Sequence, residues 1–208
     1  MTKVLLASAL LLLGVATAGA RRAADFFTSA PDRVMRLLPQ ATRLDMLDYH
    51  RYGSDRPSKN QFDGSAVLID ESDAVVSFQV DKDVTMQVAM LASPSDTVIA
   101  LVTTLRLPVA DSSLEFFSPD WKPMGKTPAS MPAYADWLTP EGASRADEVN
   151  VSLPFIPATA SFNSDATVLT ITNESPFFLE DEDTERLRPL VRDSITYDIS
   201  GTRFRQRR

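Results

Sequence analysis

Carboxylates and large aromatic side chains fall close together at one place in this chain, where Asp120 precedes Trp121, and Tyr134, Asp136 and Trp137 follow a short way on. Those residue types suit sugar chemistry. Glycoside hydrolysis needs two carboxyl groups flanking the scissile bond, roughly 5–9.5 Å apart. The flat face of an aromatic ring offers a sugar an apolar plate. The five residues are therefore a candidate ligand surface, and a carboxylate pair beside Trp121 is the form a glycan-acting hydrolase would take. Against this stands the frequency with which tryptophan is buried, which favours Trp121 and Trp137 as core or rim aromatics. No catalytic residue follows from the sequence.

His50 is the single histidine. It falls at the end of an expected helix with Asp45 and Asp48 nearby, which would suit a general base. No serine in a nucleophile-elbow context accompanies it, and the helix dipole alone favours a histidine at that end. With one histidine and no cysteine, the roughly three or four nitrogen or sulfur ligands of a zinc site are missing. The acidic run from Glu180 to Glu185 has the charge to attract calcium. It lacks the D-x-D-x-D-G pattern, however, and acids also gather at helix starts. None of the seven glycines builds a phosphate-cradling loop, and no cofactor is expected.

The first twenty residues read as an address. Lys3 gives a positive start, Val4 to Val15 an apolar stretch, and Ala18-Gly19-Ala20 a small-x-small cleavage site, the three parts of a secretory signal peptide. The apolar run is shorter than the roughly 20 residues a membrane span needs. The expected mature chain begins at Arg21, carries no transmembrane segment, and resides in the periplasm or outside the cell. A balance of 21 basic against 28 acidic residues, a net charge of −7, argues against nucleic acid as the partner. A hydrophobic content of 44% is enough for a packed core. Cysteine is absent, so an exported chain of this kind must hold together by burial rather than by disulfides.

Any such site needs a framework, and the stretch from Ser65 to Trp121 supplies it. SAVLID, AVVSFQV, VTMQVAML, TVIALVTTLRL and SLEFF read as successive strands. Val76, Phe78 and Val80, then Val84, Met86, Val88 and Met90, place an apolar residue at every second position, as one-sided burial requires. Short connections such as Asp81-Lys82-Asp83 and Ser93-Pro94-Ser95-Asp96 are too brief for parallel crossovers, so neighbours pair antiparallel. Val98 to Leu107 is apolar on both alternations except at Thr103, Thr104 and Arg106, the pattern of a central strand covered on both faces. The flanking helical segments are the expected cover.

Ala23 to Tyr52 reads as helical and broken near Pro39, with starts at Ser29-Pro31-Asp32 and at Thr42, where Asp45 takes the capping-box position. Val34, Leu37 and Leu38 form the first expected apolar face, Leu44 and Leu47 the second, and Gly53 is the stop. Gly53 to Gly64 is expected to be an exposed polar loop. A short helix is expected around Tyr134 to Leu138, and strands at Val149 to Leu153, Ala158 to Phe162, Val168 to Thr172 and Ser194 to Ser200. Between the last two lies a helix from Phe177 to Val191, interrupted at Pro189. The reading is one α+β domain over residues 21–202, an antiparallel meander packed by N-terminal and C-terminal helices. Two subdomains, about 21–124 and 125–202, are the alternative. Residues 203–208 form a basic, solvated tail.

The exported start, RLDMLDY at Arg43 to Tyr49, the meander, FFSPDWKPM at Phe116 to Met124, and RLRPLV followed by SITYDISG together resemble the bacterial family named domain of unknown function 3256. The resemblance covers nearly the whole expected mature chain. It implies export from a gut-type anaerobe and a shared α+β fold, and it carries no activity or functional residue. In such bacteria Asp96-Thr97-Val98 and Asp193-Ser194-Ile195 would fit an Asp-Ser/Thr-apolar acceptor, making Thr97 and Ser194 candidate O-glycosylation sites. The functional expectation is an exported binding or interaction module whose partner is a protein or glycan of the cell envelope. A hydrolase at Trp121 and a carrier of small apolar ligands are the alternatives, the latter needing an enclosed pocket between sheet and helices.

Overall fold

A computed structural model describes residues 21–207, so the expected signal peptide lies outside the described residues. The first helix, α1 (Ala23–Ser29), starts where the Arg22 amide donates to Asp25 Oδ2 at 2.8 Å, and it buries Ala23, Ala24, Phe26 and Phe27. The start expected at Ser29-Pro31-Asp32 gives turns rather than a helix: the amides of Val34 and Met35 both donate to the Pro31 carbonyl. Pro39 ahead disfavours helical backbone at Leu38, which leaves too little chain to propagate a helix. Helix α2 (Gln40–Arg51) then begins directly after Pro39, not at Thr42. Its buried positions are Arg43, Met46 and Leu47, spaced i, i+3, i+4, while Leu44 is left half exposed. Gly53, with φ of 65°, ends it in the left-handed region that only glycine enters freely.

The period-two stretch forms a six-stranded antiparallel sheet in sequence order: β1 (Ser58–Lys59), β2 (Ser65–Glu71), β3 (Val75–Asp81), β4 (Val84–Ser93), β5 (Asp96–Leu105) and β6 (Asp111–Phe117). The loop from Gly53 to Gly64 is less free than its composition suggests. Asn60 is buried and donates to the Val80 carbonyl at 2.9 Å, while its own Oδ1 accepts from the amides of Phe62 and Gly64.

Beyond the meander come α3 (Tyr134–Trp137), α4 (Pro140–Ser144) and α5 (Ala146–Ser152). The expected strand at Val149 to Leu153 is thus corrected to a helix. Val149 and Leu153 are fully buried while Val151 is 84% exposed, a pattern of i, i+4 burial that alternation on a strand cannot produce. Then follow β7 (Ala158–Phe162), β8 (Val168–Asn173), α6 (Asp181–Leu187), β9 (Ser194–Ser200) and β10 (Arg203–Gln206). The long helix expected from Phe177 to Val191 is reduced to a 3-10 turn at Ser175–Phe177 and the short α6. The terminal basic segment is not a solvated end. Gly201, with φ of 62°, turns it back so that Arg203 pairs with Ser200 and Gln206 with Tyr197. The four strands make a second antiparallel sheet in the order β10-β9-β8-β7.

The central strand divides two cores. Ile99 and Leu101 of β5 point into a helix-side core with Phe26, Phe27, Met46, Phe78 and Trp121, where the Phe27 and Phe78 rings meet at 4.6 Å. Val98, Ala100 and Val102 point the other way, into a core shared with Phe162, Leu169, Ile171, Ile195, Trp137 and Leu190. The helices expected as the cover are therefore one layer of two, and the second sheet takes part on the other side. Each fully buried apolar side chain of Val, Leu, Ile or Phe size contributes about 1.5–3 kcal/mol, and such burial stands in for disulfides here.

Arg43 is the costly exception inside the helix-side core. It is 1% exposed, and its Nη1 donates to the Phe27 carbonyl at 3.1 Å. Nη2 lies 3.7 Å from the exposed Asp32 carboxylate, and Nε has no partner. Burial pulls its pKa below the ordinary value, against a smaller upward pull from Asp32.

Candidate functional site

The second sheet meets the first in a way that creates a groove. Strand β7 is an edge strand, and its outward amides at Ala158, Ala160 and Phe162 have no strand partner. They donate instead to side chains of the first sheet: to Asp111 Oδ1 at 3.0 Å, Ser112 Oγ at 3.1 Å and Gln87 Oε1 at 2.9 Å. Strand β7 therefore runs across the face from β6 towards β4. The donors of a buried strand edge must be paired, and Gln87 of β4 with the neighbouring Asp111 and Ser112 of β6 pair them.

On one side of β7 lies the apolar core. On the other, part of the first sheet is left uncovered as an open groove of about 670 Å³. Ser77, Thr85, Gln87 and Thr104 lie along its floor, and Thr159 and Ser161 come from the β7 wall. Several of these groups satisfy one another. Gln87 Nε2 donates to Ser77 Oγ at 3.0 Å, and the hydroxyls of Thr104 and Ser112 share a bond of 2.8 Å. Thr159 Oγ1 donates to Glu174 Oε1 at 2.5 Å. Among the described residues, the Thr85 hydroxyl, the Asp70 carboxylate and the Arg106 guanidinium have no side-chain partner. Ile69 and Phe177 add exposed apolar surface, at 52% and 80% exposure.

The residues singled out around Trp121 are not assembled into a site. Trp121 is 2% exposed in the helix-side core, at 5.3 Å from Phe117, and it adopts φ of 58° in the turn after β6. Trp137 is equally buried, but in the core on the opposite side of the sheet. Neither ring offers a sugar a free face. Asp120 is exposed, and the exposed Asp136 accepts from the Ala133 amide at 2.8 Å. Tyr134 donates its hydroxyl to the Leu153 carbonyl at 2.9 Å, and burial pushes its phenol pKa up. The helix–sheet interface expected to hold a carrier's enclosed pocket is filled by the rings and aliphatic side chains of the helix-side core.

His50 is exposed at the end of α2 and borders a smaller hollow of about 270 Å³ with Tyr49, Asp55, Arg56 and Ser58. The acidic run opens α6, where Asp183 pairs with Arg186 at 2.7 Å and Glu185 with Arg188 at 2.9 Å. No group of three or more His, Asp or Glu residues placed to hold a metal ion occurs among the described residues. Ser194 is exposed at the first position of β9, whereas Thr97 is half-buried in β5. Among the described residues, no helix is long and apolar enough to cross a membrane.

The architecture is that of an α+β protein with two open antiparallel sheets, and it recurs in a solved structure of a domain of an uncharacterized protein from Porphyromonas gingivalis W83. The two superpose with a TM-score of 0.72 at 20% identity, covering 88% of this chain and 98% of that one, a likeness of fold alone. The chain belongs to the family described as Protein of unknown function (DUF3256), whose sequence profile matches residues 15–204. This agrees with the resemblance carried by the Phe116 to Met124 segment and its companions. No curated protein matches the chain.

The groove is the feature sequence reasoning missed. Its floor residues Ser77, Thr85 and Gln87 are visible as the polar half of the β3 and β4 alternation, and Thr104 as a polar break in the apolar β5. The missing signal was the edge of β7, whose amides reach acceptors 47 to 75 residues away along the chain.

Proposed function

We propose that this protein is an exported binding module whose ligand site is the groove beside β7. The observation that carries the reading is the uncovered part of an otherwise packed sheet face, an open hollow of about 670 Å³ floored by hydroxyl and amide groups. Its size falls within the roughly 300–1,000 Å³ of ligand clefts, and a few convergent polar groups amid apolar surface are what such clefts use for orientation. The N-terminal pattern of Lys3, Val4 to Val15 and Ala18-Gly19-Ala20 supports export. Binding is favoured over hydrolysis because the carboxylates and tryptophans that suggested a glycosidase lie apart, with both rings buried.

The absence of cysteine makes a direct test simple. A Thr85→Cys variant takes one environment-sensitive fluorophore on the groove floor, and His50→Cys takes it in the other hollow. Fractionated solutes from the envelope of the producing cell should change the emission of the first label and not the second. N-terminal sequencing of the periplasmic or extracellular protein should begin at Arg21. A groove label indifferent to every fraction would end the binding assignment, and a full-length chain confined to the cytoplasm would end the export assignment.

A further inference from the structure

We propose that the groove takes an uncharged oligosaccharide, an inference that rests on the groove being the ligand site. Three charged groups border it: Asp70, Glu174 and Arg106. An anionic ligand would meet two carboxylates and a cationic one would meet the guanidinium, each leaving charge unpaired at the contact. A neutral ligand rich in hydroxyls satisfies all three, because each hydroxyl donates to a carboxylate or accepts from a guanidinium as required. The floor is of the same character. The free Thr85 hydroxyl and the Ser77 hydroxyl, whose oxygen already accepts from Gln87, offer further groups of the kind a sugar pairs with.

Two more observations bear on the choice between a glycan and a peptide. Phe177 exposes 80% of its surface, and Ile69 exposes 52%, so the groove borders carry apolar surface suited to the C–H face of a sugar ring. An extended peptide gains its main affinity by pairing main chain with a strand edge. The strand edge that walls the groove is β7, and its outward amides at Ala158, Ala160 and Phe162 are already taken by Asp111, Ser112 and Gln87, which leaves the outer edge of β2 beside Ile69 and Asp70 as the place where a peptide would pair. What the floor presents is side chains, which match hydroxyls and not a peptide backbone in register.

The test is an amide-resolved NMR titration of the 15N-labelled protein with three sets of probes. These are neutral tetrasaccharides built on glucose, xylose and N-acetylglucosamine, an oligogalacturonate as the acidic probe, and a random decapeptide library. At least one neutral tetrasaccharide should shift the amides of Ser77, Thr85, Thr104 and Phe177. The exposed-site variants Phe177→Ala and Arg106→Ala should each weaken that ligand by about tenfold or more while leaving the melting temperature unchanged. If only the peptides or the oligogalacturonate move those amides, the groove remains the ligand site and the neutral-glycan assignment is wrong. If no probe moves them, or the saccharides move amides elsewhere, the glycan assignment falls, and silence towards all three sets counts against the groove itself.

Discussion

Beneath α1 and α2 the six-stranded sheet presents Val76, Phe78, Val88, Ile99 and Leu101, all buried and all apolar. Its other face presents Val75, Ala89 and Ala100 in the second core, but also Ser77, Thr85, Gln87 and Thr104 in the groove. The difference follows from what each cover brings with it. A helix pairs its own backbone internally, so it asks of the sheet only apolar surface. A sheet docked through an edge strand brings unpaired amides, and the face below must hold acceptors for them. Once Gln87 and Ser112 serve β7, the same face carries both an apolar core and a polar groove.

This contrast can be broken most forcefully on the helix side. Phe78→Ala removes a ring packed at 4.6 Å against Phe27, and by the usual cost of such truncations it should lower stability by about 3–5 kcal/mol in urea unfolding. A loss as small as that of a surface substitution would mean that the helix layer is not a close-packed core. On the other face the sensitive residue is polar. Ser112→Ala leaves the Ala160 amide without its acceptor and should cost about 1–3 kcal/mol, whereas Thr85→Ala on the open floor should cost far less. Equal effects at the two positions would show that β7 does not depend on side-chain acceptors.

Acid should separate the two halves as well. Glu148 is held below the ordinary carboxylate range by its hydrogen bond to Arg145, and Asp198 likewise by Arg207. Asp165 is lowered by its hydrogen bond to the Thr167 hydroxyl. All three belong to the C-terminal half. A carboxyl whose folded pKa is depressed contributes stability above its unfolded pKa, and that contribution is lost as pH falls through the folded value. Hydrogen-exchange protection, corrected for the intrinsic rate at each pH, should therefore fall in β7 to β9 before it does in α1 and α2 as pH drops below the ordinary carboxylate range. A uniform fall would remove the distinction, although exposed pairs of this kind make the effect small.

The smallest expected change is at the groove border. Phe177→Ala removes a ring that is 80% exposed, and its effect on unfolding should stay within about 0.5 kcal/mol. A larger loss would reassign Phe177 from ligand contact to packing.

The meander was legible because alternation, turn residues and the doubly apolar Val98 to Val102 run are local signals, and the strands formed where those signals stood. The hairpin of β7 and β8 and the family membership were legible for similar reasons. Helix boundaries were harder. Helix α2 starts directly after the break at Pro39 rather than at Thr42, and Val149 was read with period two where the fold uses i, i+4 burial. Aromatic and acidic neighbours along the chain gave no site, since Trp121 and Trp137 pack on opposite sides of one sheet.

By itself, then, the order of the residues determined the pairing of the middle strands and the greasiness of the face that the helices cover, because both depend on neighbours a few residues away. Only the tertiary structure decided that the polar alternation would be split between supporting β7 and flooring a groove. Alternation states that one side of a strand tolerates polar groups, but whether those groups meet water or the amides of another strand is settled by a segment far along the chain.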